Sequence, residues 1–371
     1  MTKNFIRVGT VGLGLAGMVQ AQNEADALDQ SFMASDKPMT SMSSLADRVS
    51  FGSYGEFHAQ FGDGDDNVDL HRLVLLANLQ ITDKLKFVTE TEFEHALYHA
   101  MQGDKSTDLK IEIEQAYFNY ALNDSLDINA GIQLIPAGII NDVHEPTTFY
   151  GVERPNVEKY IIPTTWWEAG VGIVKKYDSG LQIDVLAHTG LDMTSEGYVR
   201  SGRPKLTKSD YEQTNSWAVT ARAKYTGIAG VELAGTVQYQ YDASSEVSGN
   251  QSSILTEAHA IYRKGGFQFR ALGAYWDLDN FDAGDSNDAQ WGYYLEPSYA
   301  IDTDYGRVGA FTRFSHYDYV NSSSESTQIR EYAIGVNYWP TDELVFKVDY
   351  VNADKPGKND ENINLGFGWY F

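Results

Sequence analysis

From Val49 to Phe371 the chain alternates apolar and polar side chains in segments of roughly ten to thirteen residues, the length a tilted strand needs to cross a membrane. Val49, Phe51, Gly55, Phe57, Ala59 and Phe61 share one parity, with Glu56, His58 and Gln60 on the other. After an acidic loop at 62–69 come Leu73, Leu75, Ala77, Leu79 and Ile81, and Thr82-Asp83-Lys84 makes a tight turn. Leu85, Phe87, Thr89, Thr91 and Phe93 continue the first row, while Lys86, Glu90, Glu92 and Glu94 face the other way. Neither lipid nor a dry core accepts that charged row, so it requires water.

The same rhythm predicts strands over 110–121, whose facing is ambiguous, and 126–134, then 167–177 and 181–189. Four hairpins follow: 217–225 with 231–241, 254–263 with 267–277, 291–300 with 307–317, and 329–339 with 344–352. A last strand alternates Ile363, Leu365, Phe367, Trp369 and Phe371 with Asn362, Asn364, Gly366 and Gly368. Short turns (82–84, 123–125, 178–180, 226–230, 264–266, 302–305, 340–343) alternate with longer polar loops. The pattern predicts an all-β chain, a 16-stranded antiparallel transmembrane β-barrel with both ends on the periplasmic side. A soluble sandwich would also alternate, but its strands are shorter and seldom keep one turn-and-loop rhythm for so long.

The rhythm breaks over 135–168, where Asp142, His144, Glu145, Glu153, Arg154, Glu158 and Lys159 are interspersed with Pro136, Pro146, Pro155 and Pro163. Those prolines oppose both helix and ladder strand. Phe149, Tyr150, Tyr160, Ile161, Ile162, Trp166 and Trp167 need a surface to pack on, so the stretch reads as an ordered loop folded into the barrel lumen.

Upstream of the strands, Lys3 and Arg7 precede a short apolar run and Val19-Gln20-Ala21 offers a cleavage site, so residues 1–21 read as a signal peptide. Residues 22–48 read as a polar periplasmic segment and 49–371 as the barrel. Removing Lys3 and Arg7 takes the formal charge from −24 to −26, which argues against a nucleic-acid partner. With no cysteine, neither disulfides nor thiolate metal sites are possible. The abundance of Tyr, Phe and Trp suits strands and interfacial girdles.

By parity Glu90, Glu92 and Glu94 on early strands, with Glu56 and Arg72, line the lumen, and Arg222, Arg270 and Arg313 do so on later ones, with Lys347. An inward loop carrying His144, Glu145 and Glu158 would face those arginines across the lumen, giving a transverse field at a constriction that also holds Arg154 and Lys159. Glu153-Arg154 and Glu158-Lys159 also read as local ion pairs holding the loop. Catalysis is not indicated: there is no Gly-x-Ser-x-Gly elbow, no His-Glu-x-x-His and no ordered triad spacing around His144, His188 or His259. The acidic loops at 63–66 and 277–288 lack the EF-hand spacing, and no cofactor or metal is assigned.

The segment HEPTTFYGVERPNVEKYIIPTTWWEAGVGI (144–173) resembles one that recurs in Gram-negative outer-membrane porins related to the phosphate-selective porins O and P. EIEQAYFNYALNDSLDINAGIQLIPAG (112–138) is similar to the same family, and terminal Phe371 resembles the signal such barrels present for assembly. The resemblance implies a trimeric sixteen-stranded channel in the bacterial outer membrane, with the long loop inside the barrel and lipid, lipopolysaccharide and small hydrophilic solutes as partners. Phosphate selectivity does not follow from it, because acidic residues outnumber basic ones and Glu90, Glu92 and Glu94 would repel anions. The sequence reading is passive diffusion of small solutes and ions, general or weakly cation-preferring. Oxyanion uptake and a non-conducting structural barrel are the alternatives.

Overall fold

Closing the alternating sheet on itself encloses its polar row and removes both open edges, and the chain does so. The computed structural model describes residues 45–63, 66–94, 110–163, 165–193, 199–202, 216–243, 251–278, 289–319 and 327–371. The strands are β1 (Val49–Gly62), β2 (Asn67–Thr82), β3 (Leu85–Glu94), β4 (Lys110–Asn123), β5 (Leu126–Leu134), β6 (Trp167–Lys176), β7 (Leu181–Thr189) and β8 (Trp217–Ile228). They continue with β9 (Val231–Gln240), β10 (Ser253–Lys264), β11 (Phe267–Leu278), β12 (Ala289–Thr303), β13 (Gly306–Asp318), β14 (Ile329–Thr341), β15 (Leu344–Lys355) and β16 (Lys358–Tyr370).

Each strand pairs antiparallel with its sequence neighbours, and β1 closes the sixteen-membered ring on β16 with Tyr54 opposite Tyr370. The Phe371 N–H donates to the Ser53 carbonyl (2.9 Å) and its own carbonyl accepts from the Ser53 N–H (2.7 Å), so the terminal residue completes the seam. The expected leader (1–21) and most of the expected periplasmic segment (22–48) lie outside the described residues. Of the latter, a single 3-10 turn at Leu45–Arg48 is described, and Arg48 donates to the Gln80 and Ile81 carbonyls at the turn-bearing rim.

Outward side chains form an apolar belt: Leu75, Val171, Ile173, Val237, Ile334, Val348 and Leu365 are all exposed, as a lipid-facing surface requires. Two of the expected polar loops are shorter than the sequence suggested. β1 runs to Gly62 and β2 starts at Asn67, and β15 and β16 extend into a hairpin closed at Pro356-Gly357, where Gly357 takes a φ of +74°. Polar residues at 353–362 pair across that ladder because cross-strand partners such as Asp354 and Asn359 satisfy one another's backbone.

Two bulges explain where parity fails. On β2, Glu56 pairs with Arg72 and Phe57 with Leu70, which leaves His71 as an extra residue. On β4, Gln115 pairs with Glu90 and Ile113 with Thr91, which leaves Glu114 as the extra one. The apolar row of β4 therefore switches from Ile111 and Ile113 to Phe118, Tyr120 and Leu122, all exposed, which resolves the ambiguous facing. Both bulges bring an additional titratable side chain inside.

The hydrophobic core lies within the lumen. Ile135, Ile140, Phe149, Val157, Ile161, Ile162 and Trp166 of the long loop pack on Leu186, Leu255, Ile261, Leu272, Trp276 and Tyr294 from the inner faces of β7 and β10–β12. The lumen is thus amphipathic. The sequence signal for this was apolar residues on both faces of β10 and β11, the mark of a strand covered on both sides.

Candidate functional site in the barrel lumen

The loop from Ile135 to Trp166 leaves β5 and returns to β6 with its ends joined. The Ile135 N–H donates to the Trp166 carbonyl at 2.9 Å. Asn141 locks this closure: its Nδ2 donates to the Ile135 and Trp166 carbonyls (2.8 and 3.0 Å) and its Oδ1 accepts from the Trp166 N–H at 2.6 Å. A closed base with an internally packed body is the Ω-loop solution to an excursion that has no ladder. Asn141 was not singled out from sequence, because a lone Asn in a loop carries no periodic signal.

The prolines do not exclude helix altogether. Val157–Tyr160 forms one turn, α1, with Asn156 at its N-cap and Pro155 just ahead of the cap and so outside the turn it would break. Glu158 lies on this turn, 1% exposed. Its Oε2 accepts from the Ile139 and Ile140 N–H groups (2.8 and 2.6 Å) and its Oε1 from the Tyr294 hydroxyl of β12 (2.7 Å). Burial pushes the Glu158 carboxyl above its ordinary range against those hydrogen bonds. Glu158 therefore fastens the loop to the wall, and it does not face the arginines as the sequence suggested. The Trp276 indole N–H adds a bond to the Ile161 carbonyl at 2.8 Å.

The far side of the loop is held by wall side chains that satisfy its backbone. Arg72 reaches the His144 carbonyl (2.5 Å), Trp339 the Thr147 carbonyl (3.0 Å), Arg270 the Thr148 carbonyl (2.9 Å) and Arg313 the Tyr150 carbonyl (2.7 Å). Asn337 donates to the Phe149 carbonyl (3.0 Å), and the Val152 N–H donates to Asp349 (2.6 Å). Arg222 bridges Asp142 of the loop and Asp184 of β7, the latter at 2.8 Å. Arg313 is further neutralised by Glu296 at 2.6 Å. The arginines expected to face an open lumen are thus anchors whose guanidinium donors match carbonyl and carboxylate geometry.

Of the two expected local ion pairs, neither forms. Lys159 pairs with Glu153 at 3.5 Å, and Arg154 donates to the Thr165 hydroxyl at 3.1 Å. The helical turn points Glu158 and Lys159 in different directions, so sequence adjacency did not put them in contact. Burial, with Arg72 nearby, lowers the Arg154 guanidinium to about 10.

Opposite the apolar patch, the inner faces of β1–β4 are acidic. Tyr54 donates to Glu90 (2.6 Å), and His144 of the loop lies 3.4 Å from Glu90 and 3.8 Å from Glu114. Arg72 binds Glu56 at 2.6 Å. Glu92, Glu94 and Glu112 share a further cluster, in which Lys110 reaches Glu94 and Glu112 at 2.9 Å each. Glu145 is partly exposed beside this wall, and burial raises its carboxyl. The structure therefore brings His144 to Glu90, ties Arg222, Arg270 and Arg313 to the loop, and leaves Glu153, Arg154 and Lys159 partly exposed on it.

Residues 50–365 match the model of the family described as phosphate-selective porin O and P. The chain belongs to that family. An uncharacterized protein of Aquifex aeolicus is 30% identical over 362 residues, covering 87% of this chain and 80% of that protein. Among solved structures, the outer membrane channel DcaP of Acinetobacter baumannii superposes with a TM-score of 0.59 at 15% identity, covering 87% of this porin and 97% of that chain. OmpT of Vibrio cholerae gives 0.58 at 13% identity (87% and 97%), and an anion-selective porin from Comamonas acidovorans 0.57 at 9% (87% and 99%). At those identities the shared property is the fold. The porin is a bacterial outer-membrane β-barrel channel.

Proposed function

We propose that this porin admits small hydrophilic solutes and ions by passive diffusion, with a weak preference for cations, and performs no catalysis. The observation that carries this reading is the uneven balance of charge inside the barrel. Arg222, Arg270 and Arg313 are each consumed by a carboxylate or a loop carbonyl. On β1–β4, by contrast, Glu56, Asp69, Glu90, Glu92, Glu94, Glu112 and Glu114 face Arg72, Lys86 and Lys110. An unbalanced acidic wall in a narrow aqueous path raises local cation concentration. Glu153, Arg154 and Lys159 present mixed charge to the same path, while His144, Glu145 and Glu158 shape the loop that narrows it.

The family description favours a second reading, oxyanion uptake. A third, a non-conducting structural barrel, is favoured by the apolar packing of the loop on β10–β12. Under all three the chain would sit in lipid and lipopolysaccharide and form a homotrimer. The trimer is supported by the trimer form described for OmpT of Vibrio cholerae.

Reversal potential across a planar bilayer under a KCl gradient separates the three. Cation preference is expected. Anion preference would replace this reading with oxyanion uptake, and absent conductance, together with no liposome swelling in small sugars, would leave the structural one.

A further inference from the structure

His71 belongs by strand parity to the lipid-facing row, yet the β2 bulge turns it into the lumen. There its imidazole stacks on that of His58 from β1, centroids 4.4 Å apart and planes 15° apart. His58 Nδ1 lies 2.9 Å from a carboxylate oxygen of Glu153, which reaches over from the loop. One donor atom from each of His58, His71 and Glu153 falls within 4.8 Å of the other two.

Two imidazoles and a carboxylate converging from three separate segments form a donor set for a first-row transition ion. Each ring also has a carboxylate at another nitrogen: Glu56 lies 3.2 Å from His58 Nε2, and Asp69 lies 3.7 Å from His71 Nδ1. A carboxylate on the nitrogen away from the ion orients a ligating imidazole, and Glu56 and Asp69 stand at ion-pair distance for that role, leaving Nδ1 of His58 and Nε2 of His71 to bind. One divalent ion shared between the two rings balances the surrounding carboxylates of Glu56, Asp69 and Glu153. Bond lengths of about 2.0–2.1 Å require donors roughly 3.4 Å apart. An ion must also lie in the plane of each ring, so binding turns the partly exposed His71 ring (26% accessible) out of the stack while the half-exposed Glu153 side chain, 41% accessible, closes on the ion.

We propose that His58, His71 and Glu153 form a binding site for Zn²⁺ in the lumen, with Glu56 and Asp69 holding the two imidazoles. Three protein ligands leave a fourth position for water or a passing anion. Calcium and magnesium, which select oxygen donors, are poor occupants. Because Glu153 rides on the loop and both histidines sit on the wall, a bound ion ties the loop to β1 and β2 and places a divalent charge beside the acidic path.

The experiment is isothermal titration of ZnCl₂ into the purified, detergent-folded full chain, followed by Co²⁺ as an optical probe. Expected are one ion per chain, a tetrahedral Co²⁺ visible spectrum, no competition from Ca²⁺, and loss of both signals in H58A and H71A. E56Q should weaken binding by roughly tenfold to a hundredfold. H144A, which alters the neighbouring Glu90–Glu114 cluster, should bind as the parent does. Heat-modifiable migration on gels establishes folding of each variant, and the Co²⁺ spectrum of the parent tests the site without any substitution. Undiminished Zn²⁺ binding in the folded H58A/H71A variant, equal binding of Ca²⁺, or an octahedral Co²⁺ spectrum would overturn the proposal.

Discussion

The Glu158 carboxylate of the loop accepts a 2.7 Å hydrogen bond from the Tyr294 hydroxyl of the barrel wall, and both groups are almost completely buried. This contact joins two segments 136 residues apart and places the loop's single helical turn against β12. In Glu158→Ala the Ile139 and Ile140 N–H groups and the Tyr294 hydroxyl lose their acceptor, at roughly 1–3 kcal/mol for each buried donor left unmet. Single-channel recordings should then show larger conductance with frequent flicker, and urea unfolding should shift to lower concentration. A variant as quiet and as stable as the parent would show that apolar packing alone holds the loop.

Asp142 gives the loop a pH dependence. Burial raises its carboxyl, but Arg222 and then Lys224 outweigh that and hold it below the ordinary aspartate range. The docked loop therefore binds fewer protons than an undocked one around pH 4. Docking gains full stability from Asp142 above the ordinary value of about 3.9 and loses it as pH falls through the docked value. Glu158, whose carboxyl is raised, acts in the opposite sense and favours docking most at low pH. Conductance fluctuations should increase on acidification below about pH 4 in the parent. Asp142→Asn should fluctuate already at neutral pH and lack that acid step. An identical acid step in both proteins would remove Asp142 from the account.

The acidic wall makes a separate prediction about selectivity. Glu90→Gln with Glu92→Gln removes two inward carboxylates without changing side-chain volume, so the potassium-to-chloride permeability ratio should fall toward unity. The residual preference should shrink further as salt rises from 0.1 to 1 M, where the screening length drops from about 10 to 3 Å. Because Tyr54 and Gln115 donate to Glu90, gel mobility after heating serves as the folding check. A permeability ratio unmoved in a folded double variant would mean that ions pass elsewhere in the lumen.

The β4 bulge predicts an uncommon tolerance. Deleting Glu114 restores a continuous ladder in which Ile113 and Gln115 remain opposite Thr91 and Glu90, so every other side chain keeps its face. That variant should insert and migrate as a folded, heat-modifiable barrel. Deleting Asn119, which the bulge can absorb only by moving Gln115, Ala116, Tyr117 and Phe118 one place along, reverses the facing of those four residues and should abolish folding. Failure of both deletions alike would mean that the bulge itself is required for closure.

Sequence alone determined the sixteen strands, their facing over most of the sheet, the inward loop and the family, because each is written in local patterns. A period of two survives wherever one face meets lipid and the other water, and the prolines and aromatics of 135–168 interrupt it conspicuously. What only the tertiary structure decided depends on contacts between distant segments. Arg313 meets the Tyr150 carbonyl across 163 residues, so no spacing rule could show that it anchors the loop. Lys159 pairs with Glu153 and Glu158 with Tyr294, because the direction of one helical turn, set by packing on β10–β12, overrode sequence adjacency. His71 and Glu114 turn inward through single-residue bulges, which displace side chains to the other face while leaving the hydrophobic pattern on either side intact.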